Sequence, residues 1–282
     1  MTRTSSLPIG VALGTIGLEG DAWLRAAAIL ATGPIDRLWI WDHLMGRGAP
    51  ERPVLEATTL AAAALALNPN LHVGTLVLDV TKRHPALTAK IAATLDAIAP
   101  GRFTLGIGAG GDAAEHDALG MTYGEVAERI TALTGQVAVA RAMLGGDPRE
   151  RLTQSAPARL NGAASAPRPG DRLRLLIAGD HPSSISLAAN LADEWVAPSA
   201  TFAAGLAQLR EGERTVGRTQ PPVRTHLLHE LRASESLAES PFGRDPEGAR
   251  AAAHAAGADA LIVTVRTERD AEDALQLLAK LR

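Results

Sequence analysis

The stretch GRFTLGIGAG, Gly101–Gly110, decides how this 282-residue chain is read. The two-residue period of an extended strand sends Phe103, Leu105 and Ile107 to one face and Thr104, Gly106 and Gly108 to the other. One face is almost bare. A strand stripped of side chains on one side is weak unless something must approach its backbone. Two occupants fit that description: a ligand with a flat ring or a phosphate, or a neighbouring barrel element packed tightly around the glycines. Gly106–Gly111 also satisfies G-x-G-x-x-G in form, but the context of a dinucleotide fingerprint is missing. No helix opens within the glycines, since Gly120 and Gly124 break the following stretch. Glu125 and Glu128 fall in a helical run instead of at the end of a second strand.

Outward from this strand, short apolar runs alternate with stretches of helical period, the order that builds a parallel sheet. Strands are predicted at Ile9–Gly14, Asp36–Trp41, Leu71–Leu78, Arg102–Gly108, Leu173–Ala178, Glu194–Ala197, Pro222–Leu228 and Ala260–Val265. The helices between and after them are Asp21–Ala31, Val54–Leu67, Pro85–Ile98, Tyr123–Leu144, Pro182–Leu191, Ala200–Glu211, Pro246–Ala256 and Arg269–Leu281. Eight such pairs in a chain of this length predict one α/β domain over residues 1–282, a (β/α)8 TIM barrel. Residues 145–171 hold four prolines, four glycines and no clean period, and are expected to form a long loop excursion between the fourth helix and fifth strand.

Composition narrows the class further. Net charge is -3 and the 28 Lys and Arg are scattered, so a nucleic-acid partner is not expected. Without cysteine there is no disulfide, thiolate metal site or cysteine nucleophile. Leu7–Gly17 is apolar, but its glycines and the lack of a small-x-small cleavage site favour a buried strand over a secretion signal. No apolar run reaches the roughly 20 residues that span a bilayer, so no membrane partner is expected and the cytoplasm is the default setting.

Several segments carry chemistry. DRLWIWDHLMG, Asp36–Gly46, ends in Asp42-His43 where a barrel strand meets its loop, the end at which barrel enzymes place catalysis. His43 can give or take a proton near neutral pH, and Asp42 can orient a neighbour. Thr81-Lys82-Arg83-His84 precede a helix opened by Pro85, and the charges of Arg83 and His84 are expected to be solvated. Leu173–Ala178 runs into Gly179-Asp180-His181 and a helix beginning at Pro182, where free backbone N–H groups could seat a phosphate. Asp180 opposes that use, since its carboxylate would repel the anion. The eight histidines are dispersed and no metal-binding spacing is present, so no metal is expected.

Taken in order, DRLWIWDHLMG, LHVGTLVLDVTKRHPALTAKIAATLDAIAPGRFTLGIGAG, EHDALGMTYGEVAERI and LRLLIAGDHPSSISLAANLADEWV resemble the bacterial-luciferase-like oxidoreductases. The match runs through about half of the chain, and its most specific part is the block joining R-H-P to the glycine strand. This resemblance implies a barrel that holds coenzyme F-420, a deazaflavin, or FMN at the carboxyl ends of its strands. It also implies a bulge with a non-prolyl cis peptide near Leu76-Val77, with Asp42-His43 near the reactive face of the ring and Gly108-Ala109-Gly110 beside it. Gly179, Asp180, His181 and Ser199 would lie toward the phosphate, and Glu115 matches an acidic position that orders a loop or takes part in catalysis.

The departures are equally specific. Deazaflavin-dependent sugar-phosphate dehydrogenases of this family carry Glu directly after the fourth-strand glycine turn, where this chain has Gly111. A Gly-Gly phosphate turn is here Gly179-Asp180, and Pro198 leaves Ser199 as the sixth-strand hydroxyl. The implied activity is hydride transfer or monooxygenation of a small organic substrate, in an enzyme that forms homodimers. A non-catalytic, degenerate flavin-binding barrel and an NAD(P)-linked dehydrogenase are the alternatives.

Overall fold

The computed structural model describes residues 7–145, 160, 165–231 and 235–281. Most of the excursion foreseen at 145–171 lies outside the described residues. Nine parallel strands form the sheet: β1 (Ile9–Leu13), β2 (Leu38–Ile40), β3 (Val73–Thr75), β4 (Leu78–Asp79), β5 (Phe103–Gly108), β6 (Arg174–Ala178), β7 (Glu194–Pro198), β8 (Arg224–His229) and β9 (Ala260–Val265). Their order is β3-β2-β1-β9-β8-β7-β6-β5-β4, and β3 also pairs with β5, closing the ring. Since β3 and β4 both lie against β5, they are two halves of one stave and the barrel has eight.

That split corrects the single strand predicted at Leu71–Leu78. The chain leaves the ladder at Leu76-Val77, a cis peptide as the family resemblance implies, and rejoins β5 through Leu78↔Ile107. The bare face of β5 is what admits this bulge. A Cβ on Gly106 would stand 1.9 Å from the Thr75 carbonyl oxygen, and one on Gly108 would stand 2.6 Å from Val77. Thr75 completes the join, its hydroxyl donating to the Gly106 carbonyl at 2.8 Å and accepting from the Gly106 N–H at 2.9 Å. Of the two occupants considered for the glycine face, the packed barrel element is therefore the one in direct contact.

The outer layer consists of α1 (Gly20–Ala31), α2 (Ala57–Leu67), α3 (Pro85–Ile98), α4 (Ala113–Ala118), α5 (Val126–Leu144), α6 (Pro182–Leu191), α7 (Phe202–Thr215), α8 (Pro241–Arg244), α9 (Pro246–Ala255) and α10 (Glu268–Lys280). Small α4 and α8 escape a reading based on period because neither completes two turns. The helix foreseen from Tyr123 starts at Val126, behind a capping box of Glu125 and Glu128. The outward residues of β5, Phe103, Leu105 and Ile107, are all buried in the layer between strands and helices. Burial of such side chains contributes roughly 1.5–3 kcal/mol each.

Inside the barrel, Ala12, Trp39, Leu176, Val196, Leu228 and Ile262 form a second cluster. Trp39 fits because its neighbours lack side chains: a Cβ on Gly10 or Gly74 would come within 2.7 Å or 2.4 Å of the indole. Arg37 caps one side of that ring at 4.9 Å and His226 meets it edge-on at 5.5 Å, while Glu194 binds both through Oε2 at 2.8 Å and 2.7 Å. This polar plug closes the barrel floor, so the open mouth lies at the carboxyl ends of the strands. Among the described residues, no helix is long and apolar enough to cross a membrane.

Candidate active site

At that mouth a cavity of about 500 Å³ is lined by His43, the Leu76-Val77 bulge, the turn Gly108–Gly111 and the segment Ala178–His181. Its frame is ionic and lies just beneath the surface. Asp42, whose side chain is 2 % exposed, receives both amino groups of Arg83 at 2.6 Å and the Asp79 N–H at 2.9 Å. Arg83 also reaches Glu56 at 2.9 Å, and Glu56 caps α2 by accepting from Thr58 N and Thr59 N. Burial alone would raise the Glu56 carboxyl, but the Thr59 and Thr58 donors hold it down to about 2. Arg83 is thus a clamp joining the second strand to α2, which corrects its reading as a solvated loop charge.

Glu115 on α4 supplies a second tie. One carboxylate oxygen accepts from the backbone N–H groups of Leu44 and Met45, and the other accepts from Lys82 at 2.5 Å. Lys82 also donates to the Asp42 carbonyl oxygen at 2.6 Å. Burial by itself would push Glu115 up, yet the Lys82 and backbone donors hold its carboxyl below the usual range. An anchored carboxylate of this kind is a poor proton donor near neutral pH, so Glu115 orders the loop after His43 and does not replace the acid missing at Gly111.

His43 differs from its neighbours. Its Nδ1 is buried without a hydrogen-bond partner among the described residues, 3.7 Å from the nearest Glu115 oxygen, and the ring meets Trp41 edge-on at 6.4 Å. Burial lowers its pKa, an effect Glu115 opposes and Lys82 reinforces, so the imidazole is neutral at pH 7. His43, Asp112 and Glu115 bring three ligand atoms within 4.8 Å of one another. However, Lys82 on Glu115 and Arg47 on Asp112 at 3.0 Å already supply the positive charge, and a metal ion would have to displace them.

A model of the luciferase-like monooxygenases matches residues 13–279, nearly the whole chain. The chain belongs to that family. Among curated relatives, the F420-dependent glucose-6-phosphate dehydrogenase of Kineococcus radiotolerans is 28% identical over 73% of this chain and 62% of its own length. Pyrimidine monooxygenase RutA of Klebsiella pneumoniae is 26% identical over 83% of this chain and 60% of its own length. The chain therefore spans less than two thirds of the curated relatives it matches. Among solved structures, an F420-dependent secondary alcohol dehydrogenase in complex with an F420-acetone adduct superposes with a TM-score of 0.80 at 17% identity, covering 98% of this chain and 99% of that one. The F420-dependent tetrahydromethanopterin reductase of Methanopyrus kandleri gives a TM-score of 0.71 at 16% identity, again over 98% and 99% of the two chains. Both agree with the family fold.

Against the residues nominated from sequence, the cavity gathers Asp42, His43, Leu76, Val77, Gly108, Ala109, Gly110, Gly179, Asp180 and His181. Ser199 stands apart: it is exposed, lines neither this cavity nor its neighbours, and pairs through its N–H with the Leu228 carbonyl. Gly110 has φ +82°, and a Cβ there would lie 2.7 Å from the Asp79 carboxylate, so the turn must be glycine. Arg129 pins the same turn by donating to the Ala109 carbonyl oxygen at 3.0 Å. Arg129, Lys82 and Asp79 are not singled out by the sequence, because the ties that bring them to the site, to Ala109, Glu115 and Asp42, run to residues distant in the chain.

The ring end of a flavin or deazaflavin fits this cavity, which offers the His43 imidazole, a wall of backbone at Gly108–Gly111 and the apolar bulge. The phosphate end fits less well. Gly179 spends its N–H on Val196 and its carbonyl on Trp195, His181 Nδ1 takes the Ser183 N–H, and Asp180 adds a carboxylate with no partner among the described residues.

Proposed function

We propose that this protein is an oxidoreductase that transfers hydride between coenzyme F-420 and a small organic substrate at the mouth of the barrel. The observation that carries this reading is the imidazole of His43, neutral at pH 7, in the lining of a cavity walled by the Leu76-Val77 bulge and the glycine turn. The deazaflavin is favoured over FMN because curated relatives at 28% to 31% identity are named as F420-dependent. Monooxygenation with FMN is the second reading, supported by the similarity to pyrimidine monooxygenase RutA. The same proposal takes residues 1–282 as one barrel unit, cytoplasmic and homodimeric, with no nucleic-acid or membrane partner.

The bound cofactor supplies the hydride chemistry, and the chain supplies placement and proton transfer. The His43 imidazole, neutral at pH 7, takes the proton of a substrate hydroxyl at Nε2 in the oxidative direction and returns it to the oxygen in the reductive direction, while the buried Nδ1 stays on the Glu115 side. Asp42 acts at one remove, fixing the strand end through Arg83 and the Asp79 N–H. Glu115 and Lys82 hold the loop that follows, so the imidazole is presented at a fixed position. Leu76, Val77 and Gly108–Gly110 shape the seat for the ring.

Replacing His43 by Ala separates binding from chemistry. His43→Ala should leave cofactor affinity within about twofold and lower turnover by roughly 10²–10⁴-fold, the usual contribution of a general acid or base. Wild-type oxidation should fall on the acid side of the ordinary histidine range, as the imidazole gains its proton, and that limb should be absent in His43→Ala. Equal turnover in the two proteins would remove His43 from the mechanism.

A further inference from the structure

The ring and the tail of the cofactor meet different surroundings at the barrel mouth. Where the ends of β6 and β7 face the Leu76-Val77 bulge, the first cavity opens into a smaller one of about 240 Å³ that shares Leu76, Val77 and the segment Ala178–Asp180 with it. The rest of its lining is Val196, Ala197, Pro198 and Leu228, so its one charged side chain is the carboxylate of Asp180. No lysine, arginine or side-chain hydroxyl lines it.

The family resemblance places the phosphate on this side, and the residues there suit an anion poorly. Gly179 gives its N–H to the Val196 carbonyl oxygen at 3.2 Å. Pro182 has no N–H, and the Ser183 N–H goes to His181 Nδ1 at 3.2 Å. Pro198 ends β7 where a hydroxyl would serve, and Ser199 lines neither cavity. The N–H groups of Asp180, His181 and Ser184 and the Ser184 hydroxyl carry no partner among the described residues. These donors are neutral, and they share their turn with the Asp180 carboxylate, which is exposed and unpaired.

The cations of the first cavity do not make up the difference. Arg47 is paired with Asp112 at 3.0 Å and Lys82 with Glu115 at 2.5 Å. Arg129 has no carboxylate partner among the described residues, yet its Nε donates to the Ala109 carbonyl oxygen at 3.0 Å and its Nη1 to that of Gly124 at 2.8 Å, with the guanidinium 4.0 Å from the Tyr123 ring. It is committed to the glycine turn and the approach to α5.

We propose that this seat takes its ring cofactor in the phosphate-free, ribityl form in preference to the phosphorylated one, the Asp180 carboxylate opposing the phosphate. The ring's identity alone rests on the proposed function. A ribityl chain is neutral and passes the carboxylate without electrostatic cost, whereas a phosphate within about 4–6 Å of it loses roughly three- to sixfold in affinity per unit charge at low salt. Riboflavin and FMN differ by that phosphate alone.

Fluorescence titration of the full chain with riboflavin and FMN, and in parallel with the ribityl deazaflavin and coenzyme F-420, tests the preference at low and high salt. The phosphate-free partner of whichever pair binds is expected to be held at least about threefold tighter at low salt, with the gap narrowing as salt is added. Asp180→Asn should close the gap by tightening the phosphorylated partner alone. Asp180 is exposed, so this substitution leaves the fold intact. Equal affinity within a pair, or tighter binding of the phosphorylated partner, overturns the proposal and leaves the functional reading standing; a phosphate preference that Arg129→Gln abolishes would give the phosphate to Arg129. A phosphate-free preference unchanged in Asp180→Asn also overturns it. Should neither pair bind below about 1 mM, the functional reading falls and this preference with it.

Discussion

Arg83-His84-Pro85 and Asp180-His181-Pro182 begin two helices, α3 and α6, with the same His-Pro pair. Each histidine takes extended backbone angles, φ -61° and ψ 136° at His84 and φ -69° and ψ 135° at His181. Each ring accepts the N–H two residues on, from Ala86 and Ser183, at 3.2 Å in both cases. Each proline fills the first helical position, where no N–H is missed. The residues before them part company. Arg83 is held, largely covered, between Asp42 and Glu56 and ties three elements together, whereas Asp180 is exposed with no partner among the described residues. One local device thus serves two ends: at the third stave it helps hold a rigid frame, and at the fifth it leaves a bare carboxylate where, on the proposed function, an anionic cofactor group would come.

The sharpest way to break this comparison is to remove the two charges in turn. Arg83→Ala strands the buried Asp42 carboxylate and should cost about 3–5 kcal/mol in urea unfolding, the usual penalty for an orphaned buried charge. Asp180→Ala should stay within about 0.5 kcal/mol of wild type, as exposed substitutions do. Similar losses from both would mean that Asp42 is not held as a buried partner.

The caps sharpen the other half of the comparison. His84→Ala and His181→Ala should each destabilise the protein by about 1 kcal/mol, the typical worth of a capping side chain. A gap of more than about 1 kcal/mol between them would show that one histidine does more than cap. The smallest expected effect concerns binding. Asp180→Asn should tighten cofactor affinity by roughly threefold at low salt and progressively less as salt screens the carboxylate. A weakening in fluorescence titration would instead make Asp180 a ligand-binding group.

Much of the barrel was legible in the sequence because its strands are short apolar runs and its helices open on proline, acid or threonine. The limits lie where distant residues meet. Leu71–Leu78 reads as one continuous strand, and only the space left by Gly106 and Gly108 on another stave turns its end into a bulge. Trp39 reads as an ordinary apolar residue, while its place in the barrel depends on Gly10 and Gly74. The pair Asp42-His43 was visible from its position at a strand end, but not the division between them, one fully engaged and the other unpartnered. That division comes from Arg83, 41 residues along the chain, and from Glu115, whose carboxylate orders the loop after His43. Asp180 was legible as an anomaly from sequence alone, since its objection is simple like-charge repulsion.

On the proposed function the cavity at His43 and the glycine turn holds a deazaflavin or flavin. Fluorescence titration of the purified protein with coenzyme F-420, FMN and NADP tests this directly. Saturable binding of F-420 is expected with a Kd in the range of about 1–100 μM, with weaker binding of FMN and none of NADP. Binding of NADP with neither F-420 nor FMN retained below about 1 mM would contradict it.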